Sequence, residues 1–510
     1  MSADLPTTLP RLELPRRWEF LEQRAADAKI DPAEIVERVD DAANRVDELL
    51  RRVRDGGGGV IEVFYGLSGS GKTTFLQTLS RFFVNIRVST FSNNRQLSDL
   101  PRFISADVIP NDPRNRIILI ERRDNPTAAD LAAVEETFSS LLNTFREPGG
   151  AAVVLWPITK PESAKAVADA AWTVGRDSMA DEESRGQYHF RGVPSSKYWD
   201  LADNTSRSLT GDSLEAYGIT KKIAADVLPG CETISDFFGR ITQIANAERD
   251  RTWSVLKVRS IPHLWVALPG DDLKALNATA DALTQGIQSK VDIDKIGELI
   301  DQADESIIYI SEWKERRGRL AHLLRAIDTR LFGVPANVSV AAVRAFGDTN
   351  LKAKLKQPEI NIEAAKTAMK ASRLYKAILR ETDKEVAPFA GSRRIGQETV
   401  DDFIRIQTVA SKDDKPLNKA LAALIAACLR DDAPELLVTS EKRALPGSAL
   451  QPDIQIELRP GEFICIEPTW RTSGRGLNGE IKESQNTLSE AHMKKYMLEK
   501  ATQYVKGFGL

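Results

Sequence analysis

The sequence predicts an α/β fold in two parts: a parallel sheet flanked by helices early in the chain, then a helical middle and a smaller α/β domain at the end. Three observations carry this. The segment GLSGSGKT, Gly66 to Thr73, stands between an apolar β-prone run and a helical one. From there to Trp172, strands and helices alternate, which argues for parallel strands covered on both faces. Beyond Lys415, a long apolar helix is followed by β-prone segments and a closing helix.

Composition bounds the answer. A chain of 510 residues has room for several cores, at about 100 to 200 residues per domain. With 42% hydrophobic and 28% charged residues it is ordinary globular protein. A net charge of -3 argues against a bulk polyanion binder and leaves a local basic surface open. Cys231, Cys428 and Cys465 lie far apart, and the four histidines repeat no zinc spacing, so neither a disulfide framework nor a structural metal is expected. The opening MSADLPTTLP lacks the basic start and apolar stretch of a secretory signal, and the longest apolar runs stop short of a span. A cytoplasmic location with no membrane partner is the expectation.

Each element follows in order. After Asp31-Pro32, which reads as an N-cap with Pro at the first helical position, apolar residues from Ile35 to Leu50 recur at helical spacing. Gly56 to Gly59 end that helix, and Val60 to Tyr65 resume as a strand. Then come helix Lys72 to Phe83, strands Ile86 to Thr90 and Arg116 to Glu121, helix Ala128 to Arg146, strand Ala151 to Trp156 and helix Pro161 to Trp172. Ile261 to Leu268 is expected to add a strand to the same sheet. The resulting division is a helical segment at 1–55, a nucleotide domain at 56–270, a helical lid or connector at 271–414 and a terminal α/β domain at 415–510.

The spacing G-x-x-x-x-G-K-T is that of a P-loop. Glycines Gly66, Gly69 and Gly71 let backbone N–H groups of the loop, with Ser68, Ser70 and Thr74, wrap phosphates, and the following helix adds its positive N-terminus. Lys72 would reach the β and γ phosphates, and Thr73 would place its hydroxyl on Mg²⁺. ATP and Mg²⁺ are therefore the expected cofactors. An acid at the end of a neighbouring strand should help hold the ion, and RIILIERRD offers Glu121 first and Asp124 second.

The loop and these spaced acids resemble the AAA+, STAND and KAP groups of P-loop NTPases. Most such proteins carry Asp with a second acid directly after it, where this chain has Glu121 and Arg122. The resemblance implies a polar sensor after the next strand, for which Thr159 is the candidate, although it stands equally well as a cap for the following helix. It also implies a nucleotide-reading arginine, for which Arg316, Arg317, Arg319 and Arg325 are available, and a small helical lid or winged-helix piece, for which DTRLFGVPANVSVAAVRAFGD is the candidate.

In LQPDIQIELRPGEFICIEPTWR the two acids can be tested by parity. A hairpin whose turn centres on Pro460 pairs Asp453 with Glu467, Ile454 with Ile466 and Ile456 with Ile464, so both acids share one face and the isoleucines the other. A two-residue Pro-Gly turn would shift the parity and separate the acids. Pro452-Asp453 and Glu467 among apolar strands resemble the PD-(D/E)XK nuclease family over about the last hundred residues. The resemblance implies that Asp453 and Glu467 are metal-binding, catalytic residues. The family's lysine two residues beyond the Glu is Thr469 here, leaving Arg471, Lys482, Lys494, Lys495 or Lys500 to replace it.

Together these resemblances imply an ATP-hydrolysing switch controlling a nuclease-like domain, similar to bacterial anti-phage and mobile-element ATPases. Homo-oligomerisation, an effector or sensor protein and nucleic acid are the expected partners. Two rivals stand beside it: an ATPase scaffold whose terminal domain is inactive and recruits an effector, and a DNA-loading or target-selection ATPase.

Overall fold

The computed structural model describes residues 9–256, 262–286, 288–302, 308–382, 395–441, 450–474 and 487–507, with 384, 386, 387, 444–446 and 448 between them. It divides into two compact units, one of Leu12–Leu214 with Ile219–Ala245, the other of Met1–Arg11, Glu215–Gly218 and Asn246–Leu510. The division falls inside one long helix.

The first unit contains α1 (Trp18–Ala28), α2 (Asp40–Gly56), β1 (Val60–Tyr65), α3 (Lys72–Gln77), α4 (Leu79–Phe82), β2 (Ile86–Phe91), α5 (Leu100–Ala106), β3 (Asn115–Ile120), α6 (Ala128–Arg146), β4 (Val153–Ile158), α7 (Pro161–Gly175), β5 (Gln187–His189), α8 (Tyr198–Thr210), α9 (Lys221–Val227) and the start of α10 (Ile234–Leu256). Its five strands are all parallel, in the order β2-β3-β4-β1-β5. Alternation along each strand sends Ile61, Val63, Ile118 and Trp156 to the face covered by α6 and α7, and Val60, Phe64, Leu119 and Leu155 to the face covered by α2 and α3. Glu62 breaks this pattern as a fully buried charge in β1. Arg45 of α2 meets it with a two-pronged contact of 2.9 and 3.1 Å, which keys the helix to the sheet.

The leading helix starts later than the apolar spacing predicts. Asp31 accepts from the Ala33 N–H and caps only a short turn, Pro32–Glu34, before α2 begins at Asp40. The helix after the P-loop is also broken, at Thr78, whose hydroxyl donates back to the Thr74 carbonyl.

The second unit holds β6 (His263–Gly270), α11 (Leu273–Leu283), β7 (Thr284–Gln285), β8 (Lys290–Val291), α12 (Ile293–Gln302), α13 (Ile308–Glu315), α14 (Arg317–Ala326), β9 (Arg330–Pro335), α15 (Ala336–Phe346), α16 (Thr349–Lys352), α17 (Ile362–Lys370), α18 (Arg373–Arg380), α19 (Gln397–Ala410), α20 (Lys415–Asp432), β10 (Leu437–Ser440), β11 (Ile454–Arg459), β12 (Glu462–Pro468) and α21 (Glu490–Gly507). Its seven-stranded mixed sheet runs β10-β11-β12-β6-β9-β8-β7. Helices α11, α12, α14 and α21 cover one face, and α15, α17, α18 and α20 the other.

Two expectations are corrected here. The strand beginning near Ile261, a residue outside the described set, does not extend the nucleotide sheet: β6 pairs in parallel with β12 and β9 at the centre of the second sheet. The segment DTRLFGVPANVSVAAVRAFGD is not a lid, because it supplies β9 and α15 to that same sheet. Helices α8, α9 and the start of α10 are the ones that follow the parallel sheet within the first unit.

Candidate functional site

The P-loop leaves β1 where its neighbours β4 and β5 end, so the loop stands at the carboxyl edge of a parallel sheet, the usual place for ligands in such folds. Gly69 and Gly71 take φ of +83° and +94°, which favours glycine. A Cβ on Gly66 would meet the Phe190 carbonyl oxygen at 2.4 Å, and one on Gly69 would meet the Ser235 Cβ at 2.7 Å. Gly192, which the motif does not reveal, closes over Ser70 so tightly that its own Cβ would lie 2.6 Å from the Ser70 carbonyl oxygen.

Lys72 is buried and donates to the carbonyls of Gly66 and Leu67 at 2.7 and 2.9 Å. Burial lowers its pKa, against the pull of Asp124, and burial raises that of Asp124 against the pull of Lys72. Asp124, the second of the two acids offered by the sequence, thus lies close enough for its charge to act on the loop lysine. Glu121 follows β3 directly, with Arg122 4.0 Å away in a left-handed backbone conformation. Arg123 is turned to Asp130 of α6. Thr159 donates its backbone N–H to the Asp124 carbonyl at 2.7 Å, tying the ends of β3 and β4, while Lys160 occupies the cap position of α7. The capping alternative for Thr159 thus falls away.

The loop opens on a cleft of about 100 Å³ lined by Gly69, Ser70, Gly71, Thr74 and Phe75, with an apolar side formed in part by Val36, Val39, Phe190 and Phe238. Among the described residues the buried Ser70 hydroxyl has no hydrogen-bond partner. Thr73, at the second position of α3, is half-buried, and Ser68 is exposed. An orphaned hydroxyl, positive-φ glycines and a helix start fit a phosphate group. The arginines expected to serve this site belong to the other unit. Arg317 is paired with Glu215 at 2.6 Å and with Asp301, and Arg325 stacks on Tyr217.

In the second unit the β11–β12 register is the one that keeps the acids together. Ile454 faces Ile466 and Ile456 faces Ile464, and all four side chains pack on the α20 side. The turn itself is the two-residue Pro460-Gly461 form, with Gly461 at φ +85° and Arg459 opposite Glu462. A bulge between Glu457 and Arg459 absorbs the extra residue and restores the parity that this turn would have lost.

Both acids lie at one end of the hairpin, toward α21. Glu467 is almost fully buried. Lys500 Nζ lies 2.6 Å from its Oε2, and the Tyr504 hydroxyl donates to its Oε1 at 2.7 Å. Lysine and tyrosine four residues apart on one helix face thus hold both oxygens. Burial and the neighbouring Glu467 push the Asp453 carboxyl up to about 8, against the pull of Lys500. Burial disfavours the Lys500 ammonium, yet Glu467, Asp453 and Asp414 hold its pKa above the ordinary lysine value.

Lys500 is therefore the lysine brought to the acids. Lys494 bonds Glu298 and Glu490, Lys495 is exposed, and Arg471 donates to Thr469 and lies 5.7 Å from the Tyr496 ring. Lys482 lies outside the described residues. Among the described residues no group of three His, Cys, Asp or Glu side chains is gathered to hold a metal ion. Nor is any helix there long and apolar enough to cross a membrane.

No protein-family model matches the chain, and no curated protein matches it in sequence. Among solved structures it is similar to the Orc1 protein of Aeropyrum pernix in complex with DNA, at 12% identity and a TM-score of 0.30, over 57% of this chain and 87% of that one.

Proposed function

We propose that the protein is an ATP-binding and ATP-hydrolysing switch whose second unit carries a metal-dependent nuclease-like site at Asp453, Glu467 and Lys500. The observation that carries the nucleotide half is the P-loop itself: a buried lysine beside an unpartnered Ser70 hydroxyl and a half-buried acid, at the carboxyl edge of a parallel sheet. Lys72 now bonds its own loop carbonyls, and phosphate would replace those acceptors. Asp124, tied to β4 through Thr159, would orient the ion that Thr73 also holds, and Glu121 remains a second acid at the same strand end.

The nuclease half rests on Lys500. Two carboxyls on one face, one of them clamped by a lysine and a tyrosine, suit a cation and a scissile phosphodiester. A divalent ion bound there would activate water and neutralise charge. Lys500 would supply the positive charge that Thr469 cannot, and Tyr504 would fix Glu467. Control of such a site by nucleotide fits defence against phage or mobile elements, with nucleic acid as substrate and further copies of the chain as partners. The pairing of only two protein carboxyls, without a third ligand among the described residues, favours a second reading: an ATPase scaffold with an inactive second site that recruits an effector.

Incubation of wild type, Lys72→Ala and Glu467→Ala with ATP, Mg²⁺ and plasmid or RNA separates the two. The first variant is expected to lose ATP hydrolysis and the second nucleic-acid cleavage. Normal ATP turnover with no cleavage under Mg²⁺ or Mn²⁺ would replace the nuclease reading with the scaffold. Strong stimulation of ATPase by uncut nucleic acid would point to a loading function.

A further inference from the structure

Helix α10 carries a glycine in its interior, at Gly239, where alanine would form a better helix. The residue has a visible use. A Cβ there would meet the Arg16 guanidinium, with Cζ at 3.0 Å and Nε and Nη1 at 3.1 Å, so the missing side chain makes a flat seat for Arg16 on the helix. Arg16 Nε donates to the Ser235 carbonyl at 3.0 Å and reaches the Ser235 hydroxyl at 3.3 Å. Ser235 in turn donates its own N–H to the Gly69 carbonyl of the P-loop at 3.3 Å. Arg16, Ser235 and Gly69 all line the P-loop cleft.

The rest of the guanidinium is uncommitted. Among the described residues its Nη groups make no hydrogen bond, and Arg16 is exposed where it lines both the P-loop cleft and an adjoining polar cleft that contains Glu232, Asp236 and Arg240. A planar cation fixed at Nε and open at Nη is the form of arginine that binds phosphate oxygens through parallel hydrogen bonds.

We propose that Arg16 is a phosphate-binding residue of the P-loop cleft, seated on Gly239 and joined through Ser235 to the loop, so that nucleotide in the cleft is gripped from the N-terminal segment as well as from the loop. This rests on the nucleotide reading given above. The ligand class is a nucleoside triphosphate, and α10 is the element that feels its arrival.

Gly239→Ala tests the seat without removing the arginine or its charge. In the full-length chain, ATP affinity measured by calorimetry with Mg²⁺ is expected to fall about tenfold in Arg16→Ala and by a similar factor in Gly239→Ala, with Arg16→Lys between these and wild type. The melting temperature of unliganded Gly239→Ala is expected to equal or exceed that of wild type. Wild-type affinity in Arg16→Ala overturns the assignment, as does a loss of affinity accompanied by lower melting temperatures in both variants, which marks a mere brace. Loss in Arg16→Ala with none in Gly239→Ala overturns the seat. A wild type that binds ATP no better than Lys72→Ala overturns this assignment together with the nucleotide reading beneath it.

Discussion

The two candidate sites are built in opposite ways. At the P-loop the chemistry is contiguous: loop, lysine and helix start occupy eight residues, and backbone groups do most of the contacting. At Asp453 and Glu467 the parts come from both strands of a hairpin and a helix more than thirty positions on, and side chains do the contacting. The first site rests chiefly on its own short segment, with Asp124, Gly192 and Ser235 added from elsewhere in the unit. The second depends on strand register and helix phase, so distant small changes should break it.

The largest effect is expected from deleting Gln455, which stands upstream of the bulge in β11. With the Ile456–Ile464 pair and the bulge kept, Ile454 would move to the α21 face and Asp453 would turn away from it, misplacing buried side chains. A loss of at least about 3 kcal/mol from the second unit is expected, read as a shifted unfolding midpoint. ATP hydrolysis by the first unit should persist. Retention of both stability and cleavage would show that register does not hold this site together.

Next comes the helix phase. Lys500→Met should reduce cleavage by about a hundredfold or more, because it removes the only lysine hydrogen-bonded to Glu467 among the described residues. Lys494→Met should leave it within about twofold, since Lys494 is engaged with Glu298 and Glu490 at distances of 3.3 and 2.8 Å. Equal effects of the two substitutions would assign the lysine role to general charge rather than to geometry.

The smallest effect is a pH dependence. The Asp453 carboxyl, raised to about 8 in the fold from an ordinary value of 3.8, keeps its proton longer when folded than when unfolded. Its contribution to stability is then fully present below the unfolded value and is lost as pH rises through the folded one. Asp453→Asn should flatten that decline. Urea midpoints near pH 5 and near pH 9 measure it, and an unchanged slope in the variant would place the proton elsewhere.

What could be read from the sequence follows the same divide. GLSGSGKT and the alternation after it give the loop and most strands of the first sheet, since α6 spans Ala128–Arg146 as the periodicity predicts. The electrostatic link between Asp124 and Lys72 was not legible, because it depends on how the segment after β3 folds back toward the loop. The apolar run at β6 looks like any buried parallel strand, and nothing in its composition tells which sheet it joins. Parity reasoning found the partners Asp453 and Glu467 but required a longer turn, whereas the protein uses a short turn and a bulge. Lys500 stood among three candidate lysines, with Lys494 and Lys495, on a helix that carries four. Its spacing of four from Tyr504 was the available signal, and only the packing of α21 on β12 gives it meaning.

The central position of β6 also sets an order of events as the chain is made. The first sheet and its loop are complete once residue 245 has emerged, whereas β6 must wait for β12 and α21 before its edge is paired and Glu467 meets Lys500. At about 5 to 20 residues per second that interval is on the order of 10 to 50 seconds. The first unit is thus complete well before the side chains of the second site can meet, so on the reading proposed above the nucleotide site would precede the site it controls.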